Sequence, residues 1–556
     1  MSSMAVAATG PSTKPDALAA IASALPADLS HSPLLGILVV NLAAGLSALA
    51  TRLLSLGLAD LRGHVGIGVD EGAWIGTAFN GAIMFIGPMT VYLGALLGTR
   101  TVLLVCSVVF AIASACLPFA HSYGVLIGLL VIAGFSSGTF YPLTLTFALV
   151  NIPVRYLALT LGLYATCIEG GVNFAPSLYG FFRDHLSWEW MFWISALAAP
   201  LVAICAYYGI PPSPRPRPSG PKPSFLGFLW AGAGLTLLFA ALDQGQRLDW
   251  WRSGLFTALF TTGVFFLLCA LIHRLRRPNP LVDLAMLGRW NTLVLGFSLF
   301  AFRFCLLATI LVVPQTLSVH GFDAAHVGPA VVWTAIGELG LAFFAAMLLN
   351  RGLDPRLLLA IGFALIATAC LANANLTSAW AAENYFRTEF LMAVGQSFAF
   401  VGLISSIILQ AFGGLSSPPR VLTFSAFFHT VRLFAGQIGA VWMVRFIAEQ
   451  EKVHSYLIGL HVQSGGWTVE HTVRQLTAGL VPKSSGLMDA AGRAVGLVGG
   501  AVRLQAYALT FIDAFHLLAW VSVAVLVLIA TLRRFPFNYR DLAALGARQA
   551  RTGDAS

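Results

Sequence analysis

A carboxylate near the middle of a long apolar segment is the clearest candidate for chemistry in this chain. The segment covers residues 156–182 and holds Glu169. An ionised side chain at the centre of a bilayer costs roughly 2.5–3.5 kcal/mol on insertion scales, so a charge found there usually has a function. In a helix, Glu169 shares one face with Asn173, Pro176 and Gly180. We predict that this polar, kinked face points into protein or water and that Glu169 binds a proton or cation; the alternative is a neutral or ion-paired structural glutamate.

The first apolar segment carries a guanidinium that cannot neutralise itself by losing a proton. At helical spacing Asn41, Gly45, Ala48 and Arg52 form one polar and small stripe. The Arg52 side chain can pair with Glu169, bind an anionic substrate, or extend outward to the membrane surface. The sequence leaves these three interpretations open.

The second half of the chain adds further polar side chains inside apolar segments. Acids and histidines suit proton transfer in a water-filled interior, because burial favours the neutral form of an acid and histidine titrates near neutral pH. The candidates for proton or substrate contact are Arg303, Glu338, Glu389, Gln396, His429 and Arg432. For each charged candidate, the alternative is a structural role in which it pairs with another of these residues or lies at a helix end. Asp513 and His516 lie near the outer end of the last segment, which favours a structural role.

Composition sets the class of protein. The chain has 556 residues, 58% hydrophobic and 10% charged, with a mean hydropathy of +0.82, which indicates a polytopic helical membrane protein and excludes nucleic-acid binding. All seven cysteines lie in apolar segments without CxxC or metal-ligand spacing, which argues against disulfides and a metal site. No GxxxxGK[ST] or HExxH motif occurs, so the sequence predicts neither a nucleotide-driven pump nor an enzyme, and no cofactor.

The apolar segments and the charges between them predict a topology. At roughly 20 residues per crossing, fourteen segments begin near residues 33, 73, 101, 124, 156, 190, 225, 253, 291, 326, 357, 386, 421 and 506. Lysine and arginine gather in cytoplasmic loops. Alternate joints hold Arg100, Arg155, Arg215, Arg217, Lys222, Arg274, Arg276, Arg277, Arg289, Arg351, Arg356, Arg420, Arg533, Arg534 and Arg540. This pattern, which also accounts for the net charge of +9, places both termini in the cytoplasm.

The same pattern predicts how the chain is divided. A Pro-rich, basic linker over residues 211–224 cannot be helical and separates the first six segments from a short pair. We expect a disordered cytoplasmic tail at 1–32, a six-helix bundle at 33–210, an inserted two-helix hairpin with its connector at 225–290, a second six-helix bundle at 291–535 and a cytoplasmic tail at 536–556. An extracytoplasmic loop at 448–505, partly amphipathic, interrupts the second bundle.

Small residues and helix-breaking prolines predict where helices approach closely or bend. Gly134 and Gly138 form a small-xxx-small face in the fourth segment, and Pro142 follows one turn later. This pattern favours packing over chemistry.

Several motifs resemble one transporter family. The matching stretches are VDEGAWIGTAFN at 69–80, GFFRDHLSWEWMFWI at 180–194, LDQGQRLDWW at 242–251, FFHTVRLFAGQIG at 427–439 and LTFIDAFHLL at 509–518. Together with the arrangement of six, two and six helices, they are similar to the fourteen-helix drug:proton antiporter branch (DHA2) of the major facilitator superfamily. The resemblance covers about residues 33–535. It implies an all-α membrane fold of two six-helix bundles with an inserted hairpin.

The chain departs from the family pattern at residues tied to gating and coupling. Ala95 stands where the loop motif has Asp, although Gly98 and Arg100 remain. Leu130 replaces the arginine of the fourth helix, and Ala50 replaces an aspartate of the first. The resemblance therefore implies transport by the same fold, and it does not imply proton antiport by the family's usual residues.

The function predicted from residues and resemblance together is export of a small organic, drug-like compound across a bacterial inner membrane. We expect the two halves to work by alternating access. Proton antiport is the favoured form of coupling. In a Gram-negative cell the resemblance also implies a periplasmic adaptor protein as partner, which can engage residues 448–505. Two alternatives are an importer or uniporter of a metabolite or lipid, and a receptor or scaffold that does not transport.

Overall fold

The computed structural model describes residues 33–152, 154–212, 225–276, 288–322, 324–412, 418–463, 465–535, 538–541 and 544. The predicted tail at 1–32 lies outside these residues, as do most of the predicted linker and most of the predicted tail at 536–556. Within the described ranges the structure is helical and contains no strand.

The first half of the chain, which we call the N half, contains eight helices. They are α1 (Pro33–Leu56), α2 (Leu58–Val65), α3 (Val69–Leu97), α4 (Thr99–Cys116), α5 (Tyr123–Ser137), α6 (Phe140–Asn151), α7 (Val154–His185) and α8 (Trp190–Gly209). The inserted hairpin follows, with α9 (Phe225–Gly245) and α10 (Gly254–Leu275).

The remaining helices form the C half. They are α11 (Trp290–Cys305), α12 (Val313–Val319), α13 (Ala324–Asn350), α14 (Pro355–Asn373), α15 (Ala382–Phe412), α16 (Pro418–Gly459), α17 (Trp467–Leu480) and α18 (Leu487–Ala530). A π-helical stretch, Ala308–Val312, lies between α11 and α12.

The prediction of an all-α membrane protein is confirmed. In the described part of the chain, thirteen helical spans are long and apolar enough to cross a membrane. They correspond to thirteen of the fourteen predicted segments. The segment predicted near residue 73 corresponds to α3, which is 29 residues long.

Helix ends follow from local sequence. At the start of α3 the Glu71 carboxylate accepts a hydrogen bond from the Gly68 backbone N–H at 2.9 Å, which satisfies a donor that the helix itself cannot. At the start of α14 the Asp354 side chain accepts from the Arg356 N–H at 2.9 Å, and Pro355 occupies the first helical position. Polar caps of this kind fix where the apolar spans begin.

Glycine allows the helices of the N half to approach closely. A Cβ at Gly134 would lie 2.4 Å from the Phe79 carbonyl oxygen, and one at Gly138 would lie 2.8 Å from the Ile83 Cα. The small-residue face predicted for the fourth segment therefore packs against α3. This segment is also interrupted: α5 ends at Ser137 and α6 begins at Phe140.

The stretch 448–505, predicted as a loop, is largely helical. It comprises the end of α16, all of α17 and the start of α18, so the last long helix begins at Leu487 and not near residue 506. The 44 residues of α18 measure about 66 Å at 1.5 Å per residue, roughly twice the hydrocarbon thickness of a bilayer. The His454 Nε2 and the Asp513 carboxylate lie 2.8 Å apart and join α16 to α18. Helix α18 is therefore longer than one membrane crossing requires, and the His454 to Asp513 contact joins it to α16.

Two pairs of helices make most of the contact between the halves in the described part of the chain. Helices α7 and α13 run side by side, with Gly162 facing the Ala342 carbonyl and Gly328 facing Ser177. At the other contact α3 meets α16. The polar residues predicted as functional are on or beside these helices.

Candidate functional site

Helix α7 carries the predicted carboxylate into the space between the halves. The helix runs through Pro176 and Gly180 as one piece of 32 residues, and Glu169 and Asn173 are 2% and 1% exposed. The Oε1 atom of Glu169 accepts from Nη1 of Arg303 at 3.4 Å, whereas Oε2 has no hydrogen-bond partner. The pair joins the N half to the C half across 134 positions of sequence.

The partner of Glu169 is thus Arg303 and not Arg52. Pairing with Glu169 was one of the three interpretations that the sequence left open for Arg52. The Nη2 atom of Arg52 instead donates to the Ile310 carbonyl at 2.7 Å. Ile310 lies in the π-helical stretch, a wider turn of a kind found frequently at functional sites. Arg52 therefore also connects the two halves, through a neutral acceptor.

Asn173 connects both halves through a chain of hydrogen bonds. Its Nδ2 atom donates to Oε1 of Glu338 at 3.1 Å and to Oε1 of Gln396 at 3.2 Å. Gln396 donates in turn to the Thr309 hydroxyl at 3.1 Å. This order could not be read from helical spacing, because it depends on which helices face one another.

The chain of hydrogen bonds ends at Glu389. The hydroxyls of Thr309 and Thr334 donate to its Oε2 atom at 2.8 and 2.9 Å. One carboxylate oxygen each of Glu338 and Glu389 has no hydrogen-bond partner. Because buried polar atoms are usually paired, these oxygens are suitable places for a proton.

A narrow cleft lies among these groups. It is lined by Ala165, Thr166, Glu169, Glu338, Gln396, Ser397 and Phe400, and it is too narrow to hold a water molecule. Pockets that hold drug-sized molecules are roughly 300–1,000 Å³. The described conformation is therefore closed around the site, and the halves must move apart to admit a larger compound.

The polar stripe of α16 faces the N half. The guanidinium of Arg432 lies 3.8 Å from the centre of the Tyr141 ring, a cation–π arrangement. His429 packs against Gly87, where an added Cβ would lie 2.4 Å from the imidazole Cδ2. Gly436 in turn leaves room for Arg303, since its Cβ would lie 3.3 Å from the Nη2 atom of Arg303. The structure thus brings Arg303 and Arg432 to the same interface.

Gly98 and Arg100, which the sequence predicts for gating, lie between α3 and α4 at one end of the N half. Gly98 has φ +88°, a left-handed conformation that favours glycine, and it separates α3 from α4. The Arg100 guanidinium lies 4.2 Å from the centre of the Tyr207 ring on α8. Pro142 lies in the first turn of α6, where a proline removes no helical hydrogen bond. The side chain of Ala95 lies outside the described residues.

Sequence reasoning missed several groups that the structure joins to this site. Thr309, Thr334 and Tyr141 hold Glu389 and Arg432, but a lone threonine or tyrosine in an apolar helix gives no signal. Asp243 on the inserted hairpin also links helices, and its signal was its place in the motif LDQGQRLDWW.

Comparison with known proteins identifies the fold that positions these groups. Residues 40–440, more than half of the chain, match the model of the Major Facilitator Superfamily. The chain belongs to this superfamily. The fatty acid resistance protein FarB of Neisseria gonorrhoeae is 22% identical over 514 residues, covering 90% of this chain and 96% of FarB. The multidrug export protein EmrB of Escherichia coli K12 is 24% identical over 430 residues, covering 75% of this chain and 80% of EmrB.

A solved structure supports the same fold. The major facilitator superfamily proton:xylose symporter XylE superposes with a TM-score of 0.53 at 13% identity, over 92% of this chain and 98% of that chain. At this identity the likeness concerns the fold alone. Within that fold the resemblance to the drug antiporter branch predicted from the motifs is confirmed by the match to export proteins.

Proposed function

We propose that the protein exports small lipophilic organic compounds across the bacterial inner membrane by alternating access and that export is coupled to protons. One observation carries the proposal: Glu169 is buried at the contact between the halves, paired with Arg303 of the opposite half, and one of its oxygens has no partner. Carboxylates buried at the midplane interface of two repeats are where secondary transporters bind their coupling ion.

The relatives support the direction and the kind of substrate. FarB is named for fatty acid resistance and EmrB for multidrug export, and both match this chain over most of their length. One name concerns resistance to fatty acids and the other concerns export of drugs, and both classes of compound are small organic molecules. We therefore favour an apolar compound of the size of a fatty acid or drug as substrate.

The mechanism follows from which contacts cross the interface. Glu169 to Arg303 and Asn173 to Glu338 and Gln396 all join an N-half residue to a C-half residue. Separation of the halves at this level breaks these contacts. A proton on Glu169 removes its charge and weakens its attraction to Arg303, so protonation lowers the free-energy cost of separation. A neutral Glu169 would in this way allow a return movement without substrate.

Topology and partners belong to the same proposal. The distribution of Lys and Arg supports cytoplasmic termini. On this topology the helical extension formed by the outer parts of α16 and α18 with α17 faces the periplasm. A periplasmic adaptor protein is the partner that this extension would meet, and the lipid bilayer surrounds the spans.

The test is proton movement in proteoliposomes. Purified protein is reconstituted with an imposed pH gradient and exposed to cationic, neutral and anionic lipophiles, for wild type, Glu169→Gln and Glu470→Gln. Glu470 is an exposed carboxylate on α17, paired with Arg474, and serves as the matched control. We expect a substrate-evoked proton flux in wild type and Glu470→Gln that Glu169→Gln abolishes.

The same assay separates the alternatives. A uniporter would equilibrate substrate without proton flux; the buried Leu130, where the family has an arginine tied to coupling, favours this as the second candidate. A receptor or scaffold would bind substrate without moving it. Either outcome in wild type would refute proton-coupled export.

A further inference from the structure

Asp243 is a carboxylate on the inserted hairpin that contacts both halves of the protein. Its Oδ2 atom accepts a hydrogen bond from the Thr77 hydroxyl on α3, in the N half. Its Oδ1 atom accepts from Nε2 of Gln437 on α16, in the C half, at 2.7 Å. We call Thr77, Asp243 and Gln437 the hairpin bridge. Hydrogen bonds to a carboxylate are about twice as strong as neutral ones, which makes this a firm three-part connection.

The hairpin is fixed to the N half by several other contacts. Gln244 donates to the Thr77 hydroxyl at 2.5 Å and to the Ala73 carbonyl at 3.1 Å. Thr236 donates to the Gly81 carbonyl at 3.1 Å, further along α3. The rings of Tyr92 on α3 and Phe228 on α9 stack at 5.3 Å, so the contacts continue along α3 and hold α9 to the N half as a unit.

The ends of α9 show which side of the protein the bridge occupies. Arg247 at the hairpin tip forms an ion pair with Asp70 at the start of α3, with Nη1 to Oδ1 at 2.9 Å. Gly98 and Arg100 lie at the opposite end of α3. Thr77 is two turns from the start of this 29-residue helix, so the bridge lies towards the hairpin tip. On the topology proposed above, this end is extracytoplasmic.

The hairpin contacts the C half through fewer of these interactions than it makes with α3. Besides the Gln437 hydrogen bond, the rings of Phe239 and Phe434 meet edge to face at 6.5 Å. When α3 and α16 part at this end, the contacts along α3 can persist while the contact to Gln437 cannot. The bond from Gln437 to Asp243 is therefore a polar contact that must break when α16 moves away from the hairpin.

We propose that Asp243 is a positioning residue for alternating access: it holds the C half, through Gln437, to a hairpin that moves with the N half, and so keeps the extracytoplasmic side closed. The hairpin then has a mechanical role in addition to spanning the membrane. This inference deepens the proposed function and rests on it for the meaning of opening.

The experiment measures distances between spin labels on the full-length protein in lipid nanodiscs, in a background without the seven native cysteines. One pair, at Arg252 and Lys452, reports the hairpin against the C half; their side chains are 86% and 67% exposed. A second pair, at Glu71 and Arg252, reports the hairpin against the N half. Gln437→Met removes the donor with little change in length, and Gln246→Met at the exposed tip is the matched control.

We expect Gln437→Met to raise the population of longer Arg252 to Lys452 distances on the order of tenfold, from the loss of one charge-assisted hydrogen bond. The Glu71 to Arg252 distance should not change, and Gln246→Met should resemble wild type in both pairs. Asp243→Leu combined with Gln437→Met should open no further than Gln437→Met, because a connection broken at one bond is already broken.

An unchanged Arg252 to Lys452 distance in Gln437→Met would overturn the inference, as would a shift of the Glu71 to Arg252 distance in that variant. These measurements need neither substrate nor a proton gradient. A protein that fails to move any lipophile and yet opens on Gln437→Met would refute the proposed function and leave the hairpin bridge standing, so the two failures are distinguishable.

Discussion

Removing the two members of the Glu169 and Arg303 pair should have unequal effects on stability. Glu169→Gln deletes the negative charge and leaves the Arg303 guanidinium at the interface, where Arg432 is also present. A guanidinium cannot shed its proton at accessible pH. Arg303→Gln leaves Glu169, which can neutralise itself by taking up a proton. The glutamate variant should therefore be the less stable of the two.

The structure sets the size of the difference. Removing one partner of a buried ion pair costs roughly 3–5 kcal/mol. Arg303 is 17% exposed at its side chain and its contact to Glu169 is 3.4 Å, so we take a smaller value, about 2–3 kcal/mol, for Glu169→Gln. For Arg303→Gln we expect about 1 kcal/mol, the net value of a hydrogen bond. The double variant replaces the pair by two amides and should lie within about 1 kcal/mol of wild type.

The assay is a double-mutant cycle on the free energy of unfolding, measured by denaturant titration in mixed micelles at constant lipid ratio. The decisive result is the coupling: the double variant should be more stable than Glu169→Gln alone. Additive losses, or an arginine variant less stable than the glutamate variant, would show that the pair does not carry the interaction assigned to it.

Three further outcomes follow from other contacts. Asn173→Val removes the donor shared by Glu338 and Gln396, so substrate-evoked flux in proteoliposomes should fall by an order of magnitude, and the melting temperature should fall as well because two buried acceptors lose a hydrogen bond; unchanged flux would exclude Asn173 from the transport path. Gly362→Val should prevent normal folding, judged by monodisperse yield on gel filtration, because an added Cβ would lie 2.2 Å from a backbone nitrogen of α15. Burial raises the pKa of Asp354, but hydrogen bonds from Arg356 outweigh it and hold the pKa below its usual value of 3.8. This contribution to stability is present above that value and lost as pH falls through the lower folded-state pKa, so the melting-temperature deficit of Asp354→Asn at pH 7 should shrink on acidification; a constant deficit would contradict it.

The fold was largely predictable from the sequence because a bilayer allows few solutions. Apolar segments of suitable length must be helices, since backbone groups in lipid have no other hydrogen-bond partners. The extension beyond the membrane was harder to predict. Residues 448–505 mix polar and small side chains, and the contact between His454 and Asp513, which joins α16 to α18, links positions 59 residues apart in sequence.

The sequence predicted which residues belong to the candidate site, but not which of them contact one another. Helical spacing placed Glu169 and Asn173 on one face, and the structure buries both. Which arginine meets Glu169 depends on how α7, α11 and α1 rotate against one another. That rotation is set by glycine contacts such as Gly45 against the Cys167 carbonyl, where a Cβ would lie 3.0 Å away. A one-dimensional pattern does not contain this information.

The arrangement of the site gives a physical reason for coupling movement to protons. Glu169, Asn173 and Arg52 all reach partners in the C half, so the contacts that close the described conformation are also those that must break when the halves separate. Neutral hydrogen bonds can be exchanged for bonds to water as the interface opens, at a small net cost. A buried ion pair cannot be exchanged so cheaply, because each separated charge must be solvated. A proton on Glu169 removes the large cost of separating the ion pair and leaves only the small costs of exchanging hydrogen bonds. Protonation is therefore an efficient way to change the balance between closed and open states.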